Sequence, residues 1–119
     1  MVWYSKDPAN QLIATKPVAL KQPNNWGLYD MNGNVMEWCL DWYDSAYYTY
    51  APPVDPPGPP QSPSGERVLR GGSFWNSAID CRSASRTAYY PARSLGYAGF
   101  RLALSQCTHP ISRPDERAQ

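Results

Sequence analysis

The segment 25–43, NWGLYDMNGNVMEWCLDWY, constrains the fold more than any other part of the chain. Its first half is turn chemistry, with Asn32-Gly33-Asn34 suited to a tight reversal. Its second half alternates. Met36, Trp38, Leu40 and Trp42 fall on one face, and Val35, Glu37, Cys39 and Asp41 on the other. A strand places successive side chains on opposite faces, so this period of two predicts a half-buried strand following a turn.

The rest of the chain extends that reading. With 119 residues there is room for one domain, 1–119, and one modest core. Helix-forming runs are scarce, whereas Pro, Gly, Asn and Ser are abundant and Trp and Tyr far outnumber Phe. An α+β, loop-rich fold with short strands follows. Lys and Arg total 11 against 10 acidic residues, and the signs are interspersed. That balance gives no reason to expect nucleic acid or an anionic membrane as partner. No stretch approaches the roughly eighteen apolar residues of a membrane span. The opening MVWYSKDPAN lacks the basic-then-apolar order of a signal peptide; cellular location stays open. Cys39, Cys81 and Cys107 match neither a zinc pattern nor a dense disulfide framework.

Along the chain, Thr15 to Leu20 reads as a short extended piece broken by Pro17. Residues 45–65 hold more than half of the prolines and predict a long ordered loop. Residues 66–74, ERVLRGGSF, predict a short strand ending in a Gly-Gly turn. Residues 75–98 show no periodicity and predict surface loops with short turns. Residues 99–105, GFRLALS, alternate again and predict a closing strand, and the tail 107–119 is expected to fray. Trp26, Leu28, Trp38, Trp42, Phe74, Phe100 and Leu102 are the expected core.

Several of these pieces, in order, resemble one known family. Asn25 to Met31, Gly33-Asn34-Val35, Glu37-Trp38 and Asp41-Trp42-Tyr43 resemble the central signature of the formylglycine-generating-enzyme (sulfatase-modifying factor) family. Arg67-Val68, Arg70 to Phe74, Cys81 to Ala84, Arg86 and Gly99-Phe100-Arg101 resemble its C-terminal signature. The resemblance spans about residues 15–104. It implies a C-type-lectin-like fold with little regular structure, a small antiparallel sheet and long ordered loops. The family domain is longer than this chain, so its N-terminal part is expected to be reduced.

The resemblance also frames the chemistry. Family members that oxidise a substrate cysteine hold copper on a thiolate pair a few residues beyond the Gly-Gly-Ser turn, soft ligands that suit this metal. Here Asn76 stands at the first of those positions and Cys81 alone remains. The lone His109 lies in the tail. Neither oxidase activity nor a redox cofactor is therefore expected. Cys39 and Cys81 read more simply as small buried hydrophobes.

Other relatives on this fold are the variable proteins of diversity-generating retroelements, in which mutagenic copying at adenines rewrites Asn codons of the C-terminal region. Segment 75–98 resembles such a region. An Asn codon changed at its first two bases cannot yield Lys, Glu, Gln, Met or Trp, and none of these occurs from Asn76 to Ala98. They make up roughly a fifth of the remaining residues, so the gap is informative. A loop region that excludes long side chains on steric grounds would give the same gap. The expected ligand-binding positions are Trp75, Asn76, Ser77, Ile79, Asp80, Ser85, Thr87, Ala88, Tyr89, Tyr90, Arg93, Ser94, Leu95 and Tyr97, displayed to a protein or other macromolecular ligand. Tyr gives rigid amphipathic contact and Ser, Thr and Asp give adaptable hydrogen bonds. The alternative is a domain of fixed sequence used for protein interaction.

The family also implies a structural calcium ion. By position its ligands would be the side chains of Asp30 and Glu37 and the carbonyls of Gly33 and Val35, all hard oxygen donors. Without calcium, Asp30 would cap a turn and Glu37 would pair with an arginine such as Arg70 or Arg101. Arg67, Arg70, Arg82, Arg86 and Arg101 read as scaffold, because planar forks can satisfy the many carbonyls of a loop-rich interior.

Overall fold

A computed structural model describes residues 2–8 and 12–103. Cys107, His109, the tail 107–119 and the end of the expected closing strand lie outside them. The architecture is one small curled sheet set in long loops, with very little helix. β1 (Met36–Trp42), α1 (Tyr47–Tyr50), β2 (Arg67–Arg70), β3 (Arg86–Tyr89) and β4 (Ala98–Gly99) follow in chain order. Across the sheet the order is β3-β2-β1-β4.

The β1–β2 and β2–β3 pairs are antiparallel, but β4 joins β1 in parallel. The sheet is therefore mixed rather than purely antiparallel. The expected closing strand shrinks to Ala98–Gly99, and Phe100 onward leaves the ladder. Segment 75–98, expected to be loops throughout, contains β3. Its sequence, RTAY, has no apolar alternation; it is a strand because its backbone pairs in register with β2, from Arg67↔Tyr89 to Arg70↔Arg86. The Pro-rich stretch likewise holds one turn of helix, α1, where a loop was expected.

Neighbouring β2 residues Val68 and Leu69 are both buried, at 3% and 0% exposure. Consecutive strand residues point to opposite faces, so both faces of the sheet are covered at its centre. On the Val68 side lie α1 and the Pro-rich loop, where buried Tyr47 accepts a hydrogen bond from the Gly58 amide at 2.9 Å. On the Leu69 side, the register row Trp38–Leu69–Thr87 runs across three strands. β1 slips register between Trp38 and Trp42. That irregularity leaves Leu40 91% exposed, although the simple alternation places it with Met36 and Trp38.

The core differs from the one expected. Trp3, Met36, Tyr47, Val68, Leu69 and Cys81 are its buried apolar members. Trp38, Trp42 and Phe74 are half-buried, whereas Trp26, Leu28, Phe100 and Leu102 are exposed. Hydrophobic pattern marks surface that can be covered, and these four lie outside the part of the sheet that the described loops reach.

Two buried polar residues tie the loops to the sheet. Asn34, in the left-handed region at φ 66°, bonds both backbone groups of Lys16 through its side chain. Its own amide and carbonyl meet Trp3 and Phe74. Gly33 lies against the Trp3 backbone so closely that a Cβ there would stand 2.1 Å from the Trp3 carbonyl oxygen. All five scaffold arginines meet backbone carbonyls: Arg67 that of Leu40, Arg70 Ser83, Arg82 Ile79, Arg86 Asp44, and Arg101 Tyr29. Arg67 also stacks on the Trp42 ring at 3.6 Å.

Candidate functional site

β2 leads into the Gly71-Gly72 turn, both residues at positive φ. The chain then folds back beside the sheet. Ser73 is fully buried, and its amide and hydroxyl both donate to Asn76 Oδ1, at 3.0 and 2.7 Å. Farther on, the amide and hydroxyl of Ser77 donate to Asp80 Oδ2. Asn76 and Asp80 thus hold the turns on which they sit, a role that their composition alone did not disclose.

This loop and the sheet enclose two adjoining cavities of about 290 and 340 Å³ that share Met36, Asn76 and Thr87. Together they form one groove. Its polar end is lined by Arg70, Asp80, Ser85 and Arg86, and its aromatic end by Trp75, Tyr89 and Tyr97. Tyr97 donates to the Tyr89 hydroxyl at 3.2 Å, and that hydrogen bond is the main cause raising the Tyr97 pKa. The two rings meet edge-on, 6.4 Å apart, as do Phe74 and Trp75 at 6.3 Å. Trp75 is 66% exposed, a large aromatic face presented to solvent.

Of the fourteen positions read from the sequence, Trp75, Asn76, Asp80, Ser85, Thr87, Tyr89 and Tyr97 line this groove. Ser77, Ile79, Ala88, Tyr90, Arg93, Ser94 and Leu95 do not. None of the fourteen side chains is buried. Met36, Leu69, Arg70 and Arg86 line the groove too, and sequence reasoning assigned them to strand or scaffold. The register row through Leu69 and Thr87 is what brings them there.

The two described thiols are free. Cys81 is buried, and its thiol donates to the Ser73 carbonyl at 3.9 Å. Burial, helped by the charge of Asp80, pushes its pKa up. Burial likewise raises that of Cys39, against a lowering influence from Arg70. A thiol held protonated is a poor nucleophile and a poor soft-metal ligand. In native-state alkylation with iodoacetamide, Cys39, half-buried in β1, should therefore label before Cys81. Peptide mass analysis checks this, and Cys81 labelling first would contradict the packing described.

Asp30, Val35 and Glu37 line one cleft, and Gly33 does not. The donors are already engaged. Arg101 binds both oxygens of Glu37, with Nε at 2.6 Å from Oε2, and also reaches the carbonyls of Tyr29 and Asp30. The Asp30 carboxylate accepts from the Ala19 amide at 2.9 Å. A guanidinium thus stands where a cation would balance Glu37, and this arrangement does not fit a calcium ion. Among the described residues, no group of three or more His, Cys, Asp or Glu is placed to hold a metal. No described helix is long and apolar enough to cross a membrane.

The model of the sulfatase-modifying factor enzyme 1-like domain matches residues 2–106. This chain belongs to that family. Formylglycine-generating enzyme of Streptomyces coelicolor is 44% identical over 94 residues, covering 76% of this sulfatase-modifying-factor-like chain and 29% of that enzyme. Serine/threonine-protein kinase pkn1 of Chlamydia pneumoniae is 43% identical over 101 residues, 82% of this chain and 16% of the kinase. Among solved structures, Treponema denticola variable protein 1 superimposes with a TM-score of 0.71 at 38% identity, over 83% of this chain and 34% of that protein. The sulfatase-modifying-factor-like chain thus spans 16–34% of the length of these relatives.

Proposed function

We propose that this chain is a non-catalytic ligand-binding domain. Its specificity lies in the groove between Trp75 and Arg86, and segment 75–98 is diversified as in a retroelement variable protein. One observation carries the reading. All fourteen candidate positions keep their side chains out of the core, while the frame positions interleaved with or preceding them, Gly72, Ser73 and Cys81, are buried. A surface that is rewritten must be separable from the packing that folds it, because exposed substitutions usually cost within about half a kcal/mol. The likeness to the Treponema variable protein and the missing residue types from Asn76 to Ala98 support the same reading.

The test is a displayed library in which Thr87, Tyr89, Tyr90, Leu95 and Tyr97 vary over the residues an Asn codon can reach. Most members should resist protease as the parent does, and panning on hen lysozyme should enrich binders altered at the groove. Arg86→Ala should lose protease resistance, because its guanidinium joins β3 to the Asp44 carbonyl and the rings of Tyr43 and Tyr48. A library that mostly unfolds would replace this reading with the fixed interaction domain. The Chlamydia kinase, matched over only 16% of its length, favours that second reading.

The Streptomyces relative raises the oxidase alternative. Asn76 is bonded into its turn, and Cys81 is held as a thiol, so no thiolate pair supports that chemistry here. Aldehyde formed on a sulfatase-type cysteine peptide with copper would restore it.

A further inference from the structure

The cleft that fails to cage calcium has another property. Its volume is about 480 Å³, and Val18, Leu28, Val35 and Phe100 give it a largely apolar lining, with the Glu37–Arg101 pair alongside. Phe100 is 76% exposed. Trp26 and Leu102, next in sequence to lining residues, are 83% and 90% exposed. Single exposed apolar residues are ordinary, but a contiguous set around a cleft marks a contact surface. β4 ends the sheet on this side, so its outer edge pairs with no strand among the described residues. An open edge beside an apolar cleft is an aggregation hazard unless something covers it.

The relatives indicate what covers it. This chain superimposes on one third of the Treponema variable protein with a TM-score of 0.71, and aligns with 29% of the Streptomyces enzyme. It therefore carries one part of a larger family domain, and the rest of such a domain must meet this part along some face. The other side of the sheet is already closed by α1 and the Pro-rich loop, and the groove described above is half polar. We propose that the cleft of Val18, Leu28 and Phe100, with the β4 edge, is the half of a core that docks the remainder of the family domain, whichever polypeptide carries it. That remainder would bring an apolar segment to the cleft and backbone donors and acceptors to β4. The Glu37–Arg101 pair tolerates coverage because each charge keeps its partner. This inference is independent of what the groove binds.

The test mixes the full chain with two separate polypeptides. These are the portion of Treponema variable protein 1 outside the matched third and the corresponding portion of the Streptomyces enzyme. A one-to-one complex by light scattering with at least one of them is expected, with a blue shift in tryptophan emission that Trp26→Phe largely removes. Phe100→Asp and Leu102→Asp, at exposed positions, should each weaken the complex at least tenfold while the circular dichroism of the chain stays unchanged. Tyr90→Asp, away from the cleft, should leave it intact. No complex with either polypeptide would overturn the proposal. So would a dimer of the chain itself that Phe100→Asp dissolves, since the occupant would then be a second copy.

Discussion

Leu69→Ala should cost this domain about 3–5 kcal/mol, more than any other single truncation in the sheet. Leu69 sits in the middle strand of the β3-β2-β1 group, paired to Trp38 on one side and Thr87 on the other, with no exposed surface. Removing its branched end opens a cavity that the paired strands on either side cannot close, and cavity volume adds to the lost transfer energy. Leu69→Met, which conserves volume, should cost under about 1.5 kcal/mol. Trp38→Ala removes a far larger side chain, yet Trp38 is only half-buried and its loss should cost about 1–3 kcal/mol. Urea denaturation of the three variants gives the ranking. Trp38→Ala more damaging than Leu69→Ala would mean that Trp38 is covered by something beyond the described residues.

That ranking reverses the one suggested by residue size and pattern, and the reason is instructive. The alternation from Val35 to Trp42 predicts β1 correctly because period two is a local property. ERVLRGGSF predicts β2 for a related reason, since the Gly-Gly pair ends it where positive φ is needed. β3 escapes sequence reading because Arg86-Thr87-Ala88-Tyr89 shows no face of its own; only pairing with β2 makes it a strand. The parallel β4 depends on a long excursion that no local pattern encodes. Burial is harder still. Trp26, Phe100 and Leu102 have core chemistry and lie exposed, because burial is decided by what covers a residue. The groove was half legible. Residue types between Asn76 and Ala98 marked a recognition surface, but the register row that places Met36 and Leu69 beneath Thr87 could not be read from them. The turn-holding bonds of Asn76 and Asp80 were equally hidden.

Gly72→Ala should be the most damaging change at the turn that joins sheet to groove. Two costs combine there and can be separated. The first is backbone: Gly72 has φ 66°, where a Cβ costs roughly 1–2 kcal/mol. Gly65 measures that cost alone, since it has φ 75° and nothing within 4 Å of an added Cβ. Gly65→Ala should therefore lose about 1–2 kcal/mol and leave the groove untouched. The second cost is steric. A Cβ on Gly72 would stand 2.7 Å from Cys81 Sγ, 2.9 Å from Cys81 Cα and 3.1 Å from the Asp80 carbonyl oxygen. Two of those three atoms are backbone, so the 73–81 loop itself must move, adding about 1–3 kcal/mol of overpacking. Cys81→Ala removes only the sulfur contact, so in the Gly72→Ala background it should recover less than half of the loss. The displaced loop carries Trp75, Asn76 and Asp80, so ligand selected on the parent groove should be lost even where the variant still folds. Chemical denaturation of Gly65→Ala, Gly72→Ala and the Gly72→Ala, Cys81→Ala pair, with binding measured on each, resolves the terms. Equal losses at Gly65 and Gly72 would show that the loop does not press on this glycine, and would remove the close packing that positions the groove.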